Sequence, residues 1–170
     1  MPSISYIIGQ ALGIVVIFLG FLSFQQTTAK RLLALQTATS FVFAAHYLLL
    51  GAYTAVALNL VCAVQNVGYY IRGQRGDKGF VLPVLFVLLT IITSLIVWDG
   101  PQSLLIMGGL AILVASLSLT NTQTVRYCVF GKAPLCLAYN VIVGSVGGLV
   151  YECAVLTSAI IGIIKHRKKA

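Results

Sequence analysis

The sequence predicts an all-α, polytopic membrane protein with seven transmembrane helices in a 3+1+3 parallel-repeat arrangement. Three observations predict it. Of the 170 residues, 59% are hydrophobic and only 8% charged, and the mean hydropathy is +1.02, far too apolar for a water-facing surface. The apolar runs recur at about the 20-residue length needed to cross roughly 30 Å of hydrocarbon. The basic residues fall in alternate connections, as the positive-inside rule requires of a threaded chain.

The runs lie near 4–24, 32–50, 52–71, 80–98, 102–119, 124–143 and 146–165. Helices are the expected state, because a segment in lipid must satisfy its own backbone and strand-like alternation is absent. The first run has no basic n-region and no small-x-small cleavage site, so it reads as a mature helix rather than a signal segment. Within the single membrane domain, 4–71 forms a first three-helix bundle, 80–98 a linker helix and 102–165 a second bundle. Pro83 falls near the start of the fourth span; Pro134 falls inside the sixth, where a kink or hinge is tolerated.

Threading seven spans puts Lys30, Arg31, Arg72, Arg75, Lys78, Arg126, Lys165, Arg167, Lys168 and Lys169 on one face and Asp99 on the other. Lys132, within the sixth span, is expected to snorkel back toward the basic face. That face is assigned to the cytoplasm, with the N-terminus outside and the C-terminus inside. The charge of +8 is thereby explained as orientation and contact with membrane lipid. It brings no base-reading apparatus, so no nucleic-acid partner is expected. Asp77, among the basic residues, reads as one half of a surface ion pair, Asp99 as a solvated interfacial group beside Trp98, and Arg126 as an anchor at the headgroup boundary in preference to a gate at the inner mouth.

An internal repeat emerges when residues 22–72 are set against 115–165. "HYLLLGAYTAVALN" (46–59) lies over "YNVIVGSVGGLVYE" (139–152) at an offset of 93, which matches Gly51 to Gly144, Asn59 to Glu152 and Arg72 to Lys165. "LSFQ" (22–25) and "LSLT" (117–120) are each expected to close a helix. A linker of one helix gives the two triplets the same orientation, with the repeat axis along the membrane normal.

On these motifs, "HYLLLGAYTA" followed by Asn59, and "YNVIVGSVGGLVYE" after Arg126, the chain resembles the YgjV family of bacterial inner membrane proteins over nearly its whole length. The resemblance implies residence in the bacterial inner (cytoplasmic) membrane and carries no assigned activity. The helix order also looks like that of the SWEET sugar transporters and PnuC vitamin transporters, though the lone Pro101-Gln102 pair opens the fifth span rather than the first helix of a triplet.

Ionisable groups inside a bilayer are costly and mark function by default, which singles out Glu152. Seven residues into its span, it lies roughly 10 Å below the outer edge, at the depth of Asn59. His46 and Asn140 lie about one turn below that edge, and Asn66 shares the helical face of Asn59. With no basic residue expected at its depth, Glu152 is either protonated within a network with Asn59 or His46, or exposed to a watery cavity. The five residues Glu152, Asn59, His46, Asn140 and Asn66 are the candidate ligand contacts; interhelical hydrogen bonding is the alternative role for His46 and the asparagines. Gly9 with Gly13, and Gly144 with Gly148, have the spacing that lets helices approach closely. The four cysteines, Cys62, Cys128, Cys136 and Cys153, show no CxxC and no metal-ligand spacing, so packing is their expected role and neither metal nor cofactor is expected.

The expected function is a small transporter or facilitator of a polar small molecule, cationic or proton-linked among the options, with its site between the two bundles. The alternative is a non-transporting membrane subunit, receptor or assembly factor. A catalytic role is not expected, since no GxSxG, HExxH or paired-carboxylate pattern is present. Assembly into a homo-oligomer is compatible with the sequence.

Overall fold

A computed structural model describes residues 4–77, 79–119 and 121–166. Lys78, Thr120, Arg167, Lys168 and Lys169 lie outside the described residues. Seven helices and no strand occur among the described residues: α1 (Ile4–Gln25), α2 (Ala29–Leu50), α3 (Tyr53–Gln74), α4 (Val81–Ile96), α5 (Ser103–Leu117), α6 (Thr122–Ile142) and α7 (Val146–His166). Their number and order are those expected from the apolar runs.

Four of them, α1, α2, α3 and α7, are long and apolar enough to cross a membrane. Helix α6 has similar length, 21 residues, but carries Arg126 and Lys132. The lengths of α4 and α5 correct the expectation of full spans at 80–98 and 102–119. With 16 and 15 residues they reach about 24 and 22 Å at 1.5 Å per residue. The shortening has a local cause in the link between them. Gly100 turns the chain at φ 125°, and the Asp99 carboxylate accepts a 2.6 Å hydrogen bond from the Thr54 backbone N–H. Asp99, expected to be merely solvated, thus holds the start of α3, while the Thr54 hydroxyl donates to the Val97 carbonyl.

Helices α1, α2 and α3 pack in succession, as do α5, α6 and α7; α7 returns onto α1 and α3 lies against α5. The six helices therefore close a cycle of contacts, with α4 lodged against α3 and α5. Helix α4 buries only Thr90 and Ser94. It leaves Val84, Leu85, Leu88, Ile92 and Leu95 exposed, as suits a lipid-facing helix.

The connections recur at the 93-residue offset read from the sequence. Gly51 (φ 74°) and Gly144 (φ 67°) both take the left-handed conformation. In the first turn, Ala52 N–H donates to Tyr47 O at 3.0 Å and Gly51 N–H to Leu48 O; in the second, Ser145 N–H donates to Asn140 O at 2.9 Å and Gly144 N–H to Val141 O. Each is a Schellman motif, in which a residue without Cβ penalty folds the chain back onto the last helical carbonyls. The turns after α1 and α5 repeat as well, Gln26 N–H to Ser23 O matching Leu119 N–H to Ser116 O. The "LSLT" segment lies at the end of α5, which stops at its first residue, Leu117.

Glycine sets the α1–α7 crossing. Gly13 faces Gly147 so closely that a Cβ on Gly13 would lie 2.6 Å from the Gly147 Cα, whereas nothing lies within 4 Å of a Cβ on Gly73. Gln10 closes the same junction, accepting from Gly147 N–H at 3.0 Å and donating to Gly144 O at 3.1 Å. We expect Gly13→Val to cost about 1–3 kcal/mol through overpacking, with Gly73→Ala neutral. Melting temperatures of the two variants in detergent check this; equal melting would refute the tight crossing.

Candidate functional site

The buried face of α7 carries Gly148, Tyr151, Glu152, Val155, Ala159 and Gly162, a helical stripe of three- and four-residue steps. The buried face of α6 carries Val129, Lys132, Ala133, Cys136, Tyr139 and Asn140. Because the α6–α7 turn is so tight, these stripes face one another in antiparallel register. Lys132 lies about 16 Å and Glu152 about 10 Å from the turn at 1.5 Å per residue, and the lysine stem bridges the difference.

The result is a buried ion pair. Lys132 Nζ lies 2.8 Å from Glu152 Oε1, with side chains 2% and 4% exposed. The ammonium also sits 5.1 Å from the centroid of the Tyr151 ring, an added attraction from the ring face. Glu152 Oε2 is buried without a conventional hydrogen-bond partner; the thiol of Cys136, a weak donor, neighbours the carboxylate. Two expectations are corrected here. Lys132 does not snorkel toward the basic face, and Glu152 does have a basic partner at its depth; the mutual attraction offsets part of the desolvation cost that each buried charge carries.

The pair borders a cavity of about 30 Å³, room for about two waters where 10–15 Å³ admits one. Its walls come from α2, α3, α5, α6 and α7, with Gln36, Thr39, Ser40, Asn59, Asn66, Lys132 and Glu152 supplying polar groups and Ile106, Leu110, Leu113 and Leu117 an apolar side. Asn59 donates to Ala55 O at 2.8 Å, and Asn66 keeps a buried Nδ2 with no partner. Toward the short turns, Phe43 stacks on Tyr47 at 5.3 Å and meets Tyr151 edge-on at 4.6 Å, forming an aromatic lid. Toward the basic end, Leu117 is shared with a second cavity of about 260 Å³, bordered by Lys30, Leu33, Tyr69, Arg72, Asp77 and Ser118.

Of the five residues singled out in the sequence, Glu152, Asn59 and Asn66 meet at the central cavity. His46 and Asn140 stand one layer away in interhelical bonds. His46 Nδ1 lies 2.7 Å from Gly9 O and Nε2 lies 2.7 Å from Ser145 Oγ. A carbonyl only accepts, so Nδ1 carries a proton, and in the neutral ring Nε2 then accepts from the serine hydroxyl. Ser145 Oγ in turn accepts from Gly148 N–H. Asn140 donates to Cys136 O and accepts from the Tyr47 hydroxyl at 2.8 Å, which joins two residues related by the 93-residue offset.

Arg126 is among the most buried side chains, 1% exposed, rather than a headgroup anchor. Its Nε donates to Phe24 O at 3.0 Å and Nη2 to Gln26 O at 2.8 Å, so the cation caps the C-terminal carbonyls of α1. Gly162 leaves the room it occupies. Asp77 accepts from Gly79 N–H in a local turn. Cys62 and Cys136 are buried, Cys153 is exposed, and all four cysteines are free; no cluster of three or more metal-ligating side chains occurs among the described residues.

Apolar helices around a buried charged pair suit a membrane chain, and similarity adds which membrane. Residues 7–170 match the family Imp-YgjV, bacterial inner membrane protein. The chain belongs to the YgjV family. No curated protein and no solved structure matches this YgjV-family chain.

In this YgjV-family chain, Lys132→Met or Glu152→Gln alone strands a buried charge or its partner and is expected to destabilise by about 3–5 kcal/mol, whereas the double variant stays near the parent. Unfolding of the three variants in mixed micelles measures this coupling. Additive losses would mean that the two groups do not interact.

Proposed function

We propose that the protein is a carrier, not an enzyme, moving a polar small molecule between two three-helix bundles, α1–α3 and α5–α7, joined by α4. The observation that carries the reading is the Lys132–Glu152 pair at a polar-walled cavity bordered by helices of both bundles. As a mere stabiliser such a pair is a poor choice, since well-packed apolar residues of similar volume do as well or better. As a ligand site it supplies charges that are shielded until a solute displaces them.

The recurring turns support a two-fold relation between the bundles. So do their two junctions: Thr54 Oγ1 meets Ser103 Oγ at 3.1 Å between α3 and α5, while their 93-residue counterparts, Gly147 and Gln10, meet between α7 and α1 at 3.0 Å. A carrier with a pseudo-two-fold axis along the membrane normal keeps its site at the interface and rocks one bundle against the other. The Phe43–Tyr47 aromatic pair borders the cavity toward the short turns and Leu117 borders it toward the basic end. Pro134, inside α6 and two residues from Lys132, removes one backbone donor and offers a bending point beside the pair.

Two outcomes are expected. In proteoliposomes the protein accelerates uptake of a polar solute with and without a pH gradient, and Glu152→Gln lowers that rate at least tenfold. No uptake of any solute by the parent would favour a non-transporting subunit instead. In right-side-out cells a cysteine placed at Gly100 is labelled by an impermeant maleimide and one at Gly76 is not, as the positive-inside assignment requires; the reverse pattern inverts the topology.

A further inference from the structure

The central site holds one cation and one anion, so it is electrically neutral as a whole. A solute bearing a single charge would bind by splitting the pair, and the opposite side chain would then stand buried and uncompensated. Breaking a buried pair from one side costs about 3–5 kcal/mol, so the affinity penalty is roughly a hundredfold to a few thousandfold. A solute carrying both signs meets no such penalty, because each side chain exchanges one partner for another and the buried charge still sums to zero.

The unused hydrogen-bonding groups at the cavity also have both polarities. Glu152 Oε2 is an acceptor with no donor stronger than the neighbouring Cys136 thiol, and Asn66 Nδ2 is a donor without an acceptor. Both residues line the same cavity. The vestibule at the basic end repeats the mixture, with Lys30 and Arg72 beside Asp77. Size bounds the solute too: a cavity of about 30 Å³ holds only waters while the pair is closed, so the solute enters by taking the place of the contact.

Resting on the carrier reading, we propose that the transported solute is a small zwitterion whose ammonium pairs with Glu152 and whose carboxylate or other anionic group pairs with Lys132. The sequence alone left a cation among the options; the discovery of Lys132 at the site makes a lone cation the poorer fit.

The test is thermal unfolding of the full chain in nanodiscs with matched probes. Alanine is compared with ethylamine and propionate, which each lack one of its charges. γ-Aminobutyrate is likewise compared with propylamine and butyrate, and glycerol serves as the uncharged probe. At saturating probe, at least one zwitterion raises the melting temperature by on the order of 2–4 °C, while its singly charged counterparts and glycerol do not. The shift disappears in Lys132→Met/Glu152→Gln, whose own melting stays close to the parent. Stabilisation by a singly charged or uncharged probe with the zwitterions inert, a zwitterion shift that persists in the double variant, or no shift from any zwitterion overturns the inference. Proteoliposomes separate its failure from that of the carrier reading: uptake of a cation or polyol in preference to zwitterions sinks only the solute class.

Discussion

A carboxylate and an ammonium buried among lipid-embedded helices must find each other, and here the whole architecture is arranged so that they do. Lys132 and Glu152 lie on consecutive helices joined by a three-residue turn. Their meeting depends on the register that the left-handed Gly144 imposes on that hairpin and on the stripe of small residues that lets α7 lie close to α1. Neither charge is tolerable alone at this depth. The contact therefore sets the relative placement of α6 and α7, and the remaining helices wall it in.

The surrounding polar groups divide into those that hold the helices and those that face the cavity. His46, Ser145, Gln10 and Asn140 tie α1, α2 and the α6–α7 turn together with every principal donor and acceptor used, which leaves little for a solute. Arg126 does the same at the opposite end by capping α1. By contrast, Asn66 keeps a buried Nδ2 without a partner, and Glu152 Oε2 has nothing stronger than the Cys136 thiol. Polar groups in apolar surroundings are costly when unsatisfied; Gln65, Tyr69, Arg72 and Tyr139 carry such atoms elsewhere, so what distinguishes the central cavity is that its two lie beside a buried ion pair.

Much of the fold was legible in the sequence because hydrocarbon imposes simple rules on length, hydropathy and charge placement. The offset of 93 residues was visible as a faint likeness between apolar segments, and the structure gives it substance in turns whose hydrogen bonds recur residue for residue. Asn59, Asn66 and Glu152 could be found as polar exceptions on apolar faces. Lys132 was misplaced because a lysine within a span fits a snorkelling stem equally well. Counting residues outward from the Gly144 turn would have put it within reach of Glu152. Arg126 and Asp99 were misread for a related reason: a charge near a helix end looks solvated in sequence, and only the tertiary arrangement brings the α1 carbonyls or the Thr54 amide to it. The lengths of α4 and α5 were overestimated because hydropathy does not register where Gly100 turns the chain.

The account stands on the proximity of two charged groups in the membrane interior, and that is directly measurable. Glu152 is the single glutamate of the chain, so 13C-labelled glutamate and 15N-labelled lysine side chains in a lipid-reconstituted sample give one interpretable dipolar contact by solid-state NMR. The account predicts strong dephasing of the glutamate carboxyl carbon by a lysine Nζ within about 4 Å, abolished in Lys132→Met. A carboxyl carbon with no lysine nitrogen nearby, or one that dephases equally in Lys132→Met, would contradict it.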